Sequence, residues 1–157
     1  MWLQSRRRDA PVAPERALPG RPDYDYPLAH VNEVLGTSML GPFPSGVVTL
    51  YLGMGCFWGA EKRLWQLPGV HTTAAGYQGG TTPHPTYSEV CTAMTGHAEM
   101  VMVAYDPKVV ATIDVLRVFF LLNITLAFFN LLPVHPLDGG KILAWLLPAR
   151  FDYIDDT

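Results

Sequence analysis

Short β-branched runs alternate three times with helical segments between residues 47 and 120, and this alternation limits the fold more than any other feature. The pattern predicts strands at residues 47–54, 70–77 and 97–105. Helices are predicted at residues 57–67 and 86–94, followed by a third that Thr112 can cap. This order of elements is typical of a sheet with helices packed on it. We therefore predict an α/β or α+β sandwich formed by residues 46–120.

The residues before this core, 1–45, contain many prolines and no periodic apolar run. Proline fixes φ and removes a backbone donor, which suits an extended arm laid over a surface. A disordered leader is the alternative, above all for residues 1–17. We expect an extended or partly disordered N-terminal arm.

The residues after the core, 121–157, are strongly apolar. Between residues 118 and 134 the polar side chains are Asn123, Thr125 and Asn130. The length of this run is at the lower edge of what crosses the hydrocarbon core of a membrane. We predict an apolar helical tail that associates with membranes or aggregates rather than forming a clean span.

The overall charge argues against one class of partner. The chain has 11 Lys and Arg against 14 Asp and Glu, a formal net charge of −3. Proteins that neutralise many phosphates are normally basic, so we expect no nucleic-acid partner. Two cysteines cannot form a disulfide scaffold, and we expect no metal site.

Cys56 lies between the first predicted strand and the first predicted helix. Amide groups at a helix start point outward, and together with the helix dipole they stabilise a thiolate. Phe57 and Trp58 follow directly and can form an apolar wall beside the sulfur. The alternative is a small, inert core cysteine flanked by core aromatic side chains.

Two further polar residues are candidates for the same site. Glu99 shares a strand face with Val101 and Val103, and a carboxyl group held among apolar side chains can act as a general acid. Tyr87 offers a hydroxyl donor at the start of the second helix. The alternatives are a water-facing edge residue for Glu99 and a half-buried core phenol for Tyr87.

Taken together, these residues resemble the A-type peptide methionine sulfoxide reductases. The motifs are Gly55-Cys56-Phe57-Trp58-Gly59-Ala60-Glu61, Gly76-Tyr77-Gln78-Gly79-Gly80, Pro85-Thr86-Tyr87-Ser88-Glu89-Val90-Cys91 and Thr95-Gly96-His97-Ala98-Glu99. They occur in the family's order and at its intervals, and the resemblance covers about residues 18–120. It implies a ferredoxin-like two-layer α+β sandwich.

The resemblance also implies a reaction. Cys56 would be the nucleophile that attacks the sulfoxide sulfur, Glu99 would protonate the departing oxygen, and Tyr87 would assist. Phe57 and Trp58 would bind the substrate methyl group and favour the S epimer, free or in proteins. The resemblance further implies a cytoplasmic enzyme that repairs oxidative damage, needs no metal or organic cofactor, and uses an external thiol such as thioredoxin or dithiothreitol. Cys56 would become a sulfenic acid.

The sequence departs from the family after the third helix. The family's next segment begins Asn-His-Asp-Pro and brings an aspartate and a tyrosine to the pocket, and no such segment occurs here. Many members also have resolving cysteines in a C-terminal tail. Here Cys91 is the other thiol, and its position looks structural.

Residues 122–148 resemble a different family, the site-2-type intramembrane zinc metalloproteases. Asp138 occupies the place of that family's zinc-binding aspartate, but the His-Glu-x-x-His pair is absent, and one aspartate cannot hold zinc alone. The tail is therefore of different origin from the core. The alternative function is an inactive or membrane-associated hybrid of two truncated proteins.

Overall fold

The computed structural model describes residues 12–55 and 57–132. A 3-10 turn at Pro14–Arg16 lies in the N-terminal arm and comes before the first strand. The strands are β1 (Val31–Asn32), β2 (Thr37–Ser38), β3 (Val48–Leu52), β4 (Val70–Gln78) and β5 (Ala98–Tyr105). The helices are α1 (Phe57–Trp65), α2 (Tyr87–Cys91) and α3 (Thr112–Leu131).

The main sheet has the strand order β3-β5-β4, with both neighbours antiparallel to β5. β3 and β4 are consequently parallel to each other, and α1 makes the crossover between them. β5 then returns between the two strands that α1 connects. This arrangement is the split β-α-β unit of ferredoxin-like folds.

The core lies between α1 and the face of the sheet that it covers. Leu64 and Ala60 are buried on the helix, and Val101 and Val103 are buried on β5. Alternate residues of a strand point to one face, so Glu99 continues the row formed by these two valines. The buried row of β5 therefore ends at a carboxyl group.

A hairpin whose strands, β1 and β2, have two residues each covers the free edge of β4. Buried Asn32 donates from Nδ2 to the Thr73 carbonyl at 3.0 Å, and Thr37 Oγ1 donates to the His71 carbonyl at 2.6 Å. Side chains thus satisfy carbonyl groups of β4 that no strand pairs, which protects the edge from other chains.

The predicted order of strands and helices is confirmed, and the fold is α+β. α1 is two residues shorter than predicted because the chain turns at Leu67, whose N–H donates to the Leu64 carbonyl ahead of Pro68. α2 is also shorter than the predicted 86–94. The hairpin β1–β2 was not predicted, since strands of two residues have no readable period.

The chain divides into two compact units, residues 1–115 and 116–157. In the second unit, α3 is apolar on all sides, and its 18-residue window of highest mean hydropathy reaches 1.8. Asn123 donates to the Phe119 carbonyl at 2.9 Å, and Thr125 donates to the Leu121 carbonyl at 2.7 Å. Each of these side chains thus donates one hydrogen bond within the helix itself.

Candidate active site

The junction between β3 and α1 lies beside the first residues of β5. The last pair of the β3–β5 ladder is Leu52 with Val101. A Cβ on Gly53 would be 3.2 Å from the Met100 sulfur and 4.0 Å from the Glu99 carbonyl oxygen. The chain that leads towards α1 therefore runs past the backbone of Glu99 on one side of β5. Cys56 itself and the side chains of Phe57 and Trp58 lie outside the described residues.

Tyr77 faces Glu99 from the other side of β5. The two residues are direct partners in the β4–β5 ladder, so their side chains share one face of the sheet. Glu99 is half-buried and is on the central strand, which excludes the alternative of an edge residue. Burial raises the pKa of Tyr77, and the negative charge of Glu99 raises it further.

The phenol of Tyr77, on the sheet, is electrostatically close to residues of α2. The charges of Tyr26, Cys91 and Tyr87 also raise the pKa of Tyr77, so these groups lie within electrostatic reach of its hydroxyl. Tyr77 belongs to the Gly76–Gly80 motif, but no role was predicted for it. The sequence does contain a signal for such a role, because Tyr77 is the one large side chain in a motif whose other members are three glycines and a glutamine.

Tyr87 begins α2 and is 58% exposed, so it is not a core phenol. Thr86 caps the helix: its Oγ1 accepts from Glu89 N–H, while Glu89 Oε2 accepts from Thr86 N–H at 2.8 Å. This capping box satisfies orphan donors at both ends of the first turn. It fixes the backbone on either side of Tyr87.

The N-terminal arm contacts the chain on both sides of α2. Leu18 N–H donates to the Met94 carbonyl, and the Leu18 carbonyl accepts from Thr82 Oγ1 at 2.8 Å. The Tyr24 ring stands edge-on to the His84 ring, with centroids 4.9 Å apart. The described part of the arm thus lies against the chain that leads into α2.

His97 holds the loop between β4 and α2 to the start of β5. Gly80 N–H donates to its Nδ1 at 3.2 Å, so Nε2 carries the proton and donates to the Thr82 carbonyl at 2.8 Å. The neutral ring therefore uses both nitrogens. This is a structural role that the sequence left unassigned for His97.

An apolar cavity of about 230 Å³ lies beside Tyr77. Its lining includes Tyr51, Tyr77, Met100 and Met102. Small residues of β4, such as Ala74 and Gly76, leave the space open. Met100 and Met102 alternate with Glu99 along β5, so their side chains lie on the opposite face of the sheet, and this cavity is separate from the face that carries the candidate acid.

No group of three or more potential metal ligands occurs within residues 12–55 and 57–132. Asp138, the predicted counterpart of a zinc-binding aspartate, and the nearby His135 lie outside the described residues. Among the other histidines, His71 stacks edge-on with Phe43 at 6.0 Å, away from Glu99 in the β4 register.

Comparison with known proteins identifies the core. A profile described as "Peptide methionine sulfoxide reductase" matches residues 48–125. This part of the chain belongs to the peptide methionine sulfoxide reductase family. The match includes the β3–α1 junction, Tyr77, Tyr87 and Glu99.

Individual relatives agree with this assignment. The peptide methionine sulfoxide reductase MsrA of Salinispora arenicola is 57% identical over 109 residues, which are 69% of this chain and 49% of that protein. The enzyme MsrA 1 of Synechocystis is 51% identical over 114 residues, or 73% of this chain and 51% of that one. The chain spans about half the length of these relatives.

A solved structure supports the fold. Methionine sulfoxide reductase A of Corynebacterium diphtheriae superposes with a TM-score of 0.57 at 46% sequence identity. The superposition covers 64% of this chain and 46% of that one. The predicted α+β fold of this reductase type is therefore confirmed.

Gly76 and Gly80, two glycines of the same motif, allow a matched test of the loop geometry. A Cβ on Gly80 would overlap the Thr95 carbonyl and the His97 ring, whereas a Cβ on Gly76 meets nothing within 4 Å. We expect Gly80→Ala to lower the free energy of unfolding by about 1–3 kcal/mol, because backbone must shift. Gly76→Ala should change it by less than about 1 kcal/mol. Urea denaturation measures both, and equal losses would contradict the geometry.

Proposed function

We propose that this protein reduces methionine S-sulfoxide, free or in proteins, to methionine. The Cys56 thiolate attacks the sulfoxide sulfur while Glu99 supplies a proton to the oxygen. The attack forms a sulfur–sulfur bond, and the protonated oxygen then moves to the Cys56 sulfur as this bond and the sulfur–oxygen bond of the substrate break, so methionine leaves and Cys56 becomes a sulfenic acid. Tyr87 assists as a second hydroxyl donor, and Phe57 and Trp58 bind the methyl group.

The observation that carries this proposal is the meeting of three separate segments around the start of β5. The β3–α1 junction passes Glu99 on one side, and Tyr77 opposes Glu99 on the other. The Tyr77 hydroxyl is in turn within electrostatic reach of Tyr87. A nucleophile at the junction and an acid on β5 would thus serve one substrate, as general acid catalysis requires.

The oxidised enzyme must be reduced by a thiol from outside. One thiol attacks the sulfenic sulfur and releases water, and a second thiol attacks the resulting mixed disulfide and restores Cys56. We propose a thioredoxin-like protein as this reductant, with dithiothreitol as a substitute in vitro. Repair of oxidised proteins in the cytoplasm is the corresponding cellular role, and no metal or organic cofactor takes part.

Replacement of the nucleophile tests the reaction. We expect Cys56→Ser to abolish the reduction of a peptide containing methionine S-sulfoxide, because a hydroxyl group is too weakly acidic to ionise at this position. Cys91→Ser is the matched control, as Cys91 is an exposed cysteine at the end of α2. The assay follows conversion of the sulfoxide peptide to its methionine form, with dithiothreitol as reductant. Parent activity in the Cys56→Ser protein would exclude Cys56 as the nucleophile.

Replacement of the acid tests the proton transfer. We expect Glu99→Gln to lower kcat by about a hundredfold or more, since a positioned general acid contributes on that scale, while KM changes little. The ionisation that belongs to Glu99 should also vanish from the pH–rate profile. Glu33→Gln, at an exposed position of the arm, should leave both unchanged. An unaltered pH–rate profile in Glu99→Gln would refute the assignment.

A second proposal concerns the membrane. Helix Thr112–Leu131 is long and apolar enough to cross one, by length and composition, and 6% of its most apolar window is buried. Large side chains such as Leu121 and Phe128 are exposed along it. We propose that residues 118–134 hold the protein to a lipid surface. The resemblance of residues 122–148 to an intramembrane metalloprotease agrees with this, although we propose no protease activity.

Fractionation with matched arginine variants tests the membrane proposal. We expect part of the protein to sediment with membranes and to resist carbonate extraction. Leu121→Arg, near the middle of α3, should release it, since a central arginine costs about 2.5–3.5 kcal/mol on insertion scales. Ile113→Arg, near the helix start, should not. Wholly soluble, monodisperse protein would contradict the proposal.

A further inference from the structure

Arg21, in the N-terminal arm, contacts both the loop before α2 and α2 itself. Its Nη1 donates to Glu89 Oε2 at 3.0 Å and its Nη2 donates to Glu89 Oε1 at 2.8 Å. Nη1 also donates to the His84 carbonyl at 2.7 Å. A planar guanidinium thus bridges two points that flank Tyr87 in the sequence.

The backbone of Arg21 reinforces this bridge. Its N–H donates to the Pro83 carbonyl at 3.2 Å, and its carbonyl meets His84 Nδ1 at 3.0 Å. His84 has a φ of 47°, an uncommon conformation for a residue other than glycine. Such a conformation persists only where the surroundings impose it, and Arg21 supplies three of the contacts that do so.

The ion pair and the capping box of α2 share the Glu89 carboxylate. The Glu89 carboxylate accepts from Thr86 as well as from Arg21, so one group ties the arm, the helix cap and the first turn together. Hydrogen bonds from the Arg21 side chain, and then from the Thr86 backbone, lower the pKa of Glu89 to about 2. The carboxylate is therefore ionised, and the bridge formed, throughout the neutral range.

We propose that Arg21 is a positioning residue for Tyr87, because its side chain clamps the His84 carbonyl and the Glu89 carboxylate on either side of that tyrosine. This inference rests on the proposed function, in which the Tyr87 hydroxyl assists proton transfer. Arg21 does not touch the substrate. It fixes the backbone from which the hydroxyl is presented, and small displacements of a catalytic group are costly.

A double-mutant cycle tests the coupling. We expect Arg21→Gln to lower kcat about ten- to a hundredfold with little change in KM. In the Tyr87→Phe background the same substitution should have no further effect on kcat, although it should still lower the melting temperature. Arg16→Gln, at an exposed arginine of the same arm, should leave both quantities unchanged. An equal loss of kcat in both backgrounds would overturn the proposal.

The conservative variant separates charge from geometry. Arg21→Lys keeps the positive charge but not the planar fork. Its melting temperature should therefore stay close to that of the parent, while its kcat stays as low as that of Arg21→Gln. It also keeps the test available if Arg21→Gln fails to fold. Recovery of kcat to the parent value in Arg21→Lys would overturn the proposal, because a point charge would then suffice.

A spectroscopic measurement does not depend on turnover. In protein labelled with 3-fluorotyrosine, the ¹⁹F resonance of Tyr87 is identified by its loss in Tyr87→Phe. We expect Arg21→Gln and Arg21→Lys to shift or broaden this resonance, and Arg16→Gln to leave it in place. A shifted resonance in a protein without reductase activity would refute the proposed function but support the positioning role. An unshifted resonance would overturn the positioning role, whatever the activity.

Discussion

The antiparallel pairing of β5 with both of its neighbours is the constraint on which the candidate site depends. Since β5 lies between β3 and β4, its first residues meet the end of β3 on one side and the end of β4 on the other. Glu99 is the polar residue at that position on the buried face. Any shift of register by one residue would turn it to the opposite face and place Met100 there instead.

The sequence predicted the parts of this arrangement that follow from local periodicity. Val101 and Val103 show the buried face of β5, and the glycine-flanked junction before Phe57 shows where a strand gives way to a helix. The resemblance to the reductases then selected Cys56, Tyr87 and Glu99. For Cys56 this selection stays a prediction, because it lies outside the described residues.

The contacts that the sequence could not reveal are those between distant residues with no period of their own. Arg21 and Glu89 are 68 positions apart, and neither lies on a regular face of a long element. Asn32 reaches the edge of β4 across 41 positions from a strand of two residues. A proline-rich arm predicts extension, but which carbonyl it meets is decided by the tertiary structure.

Helix α3 is apolar on all sides and yet largely exposed. A helix that is apolar on all sides belongs in a protein core or in lipid, and most of the side chains of α3 are exposed. The hydrogen bonds of Asn123 and Thr125 to carbonyls one turn earlier reduce the cost of lipid burial, because each pairs a side-chain donor within the helix. The same bonds would be of little consequence in water, where solvent satisfies both groups. These two bonds therefore make the helix compatible with the apolar environment that the membrane proposal requires.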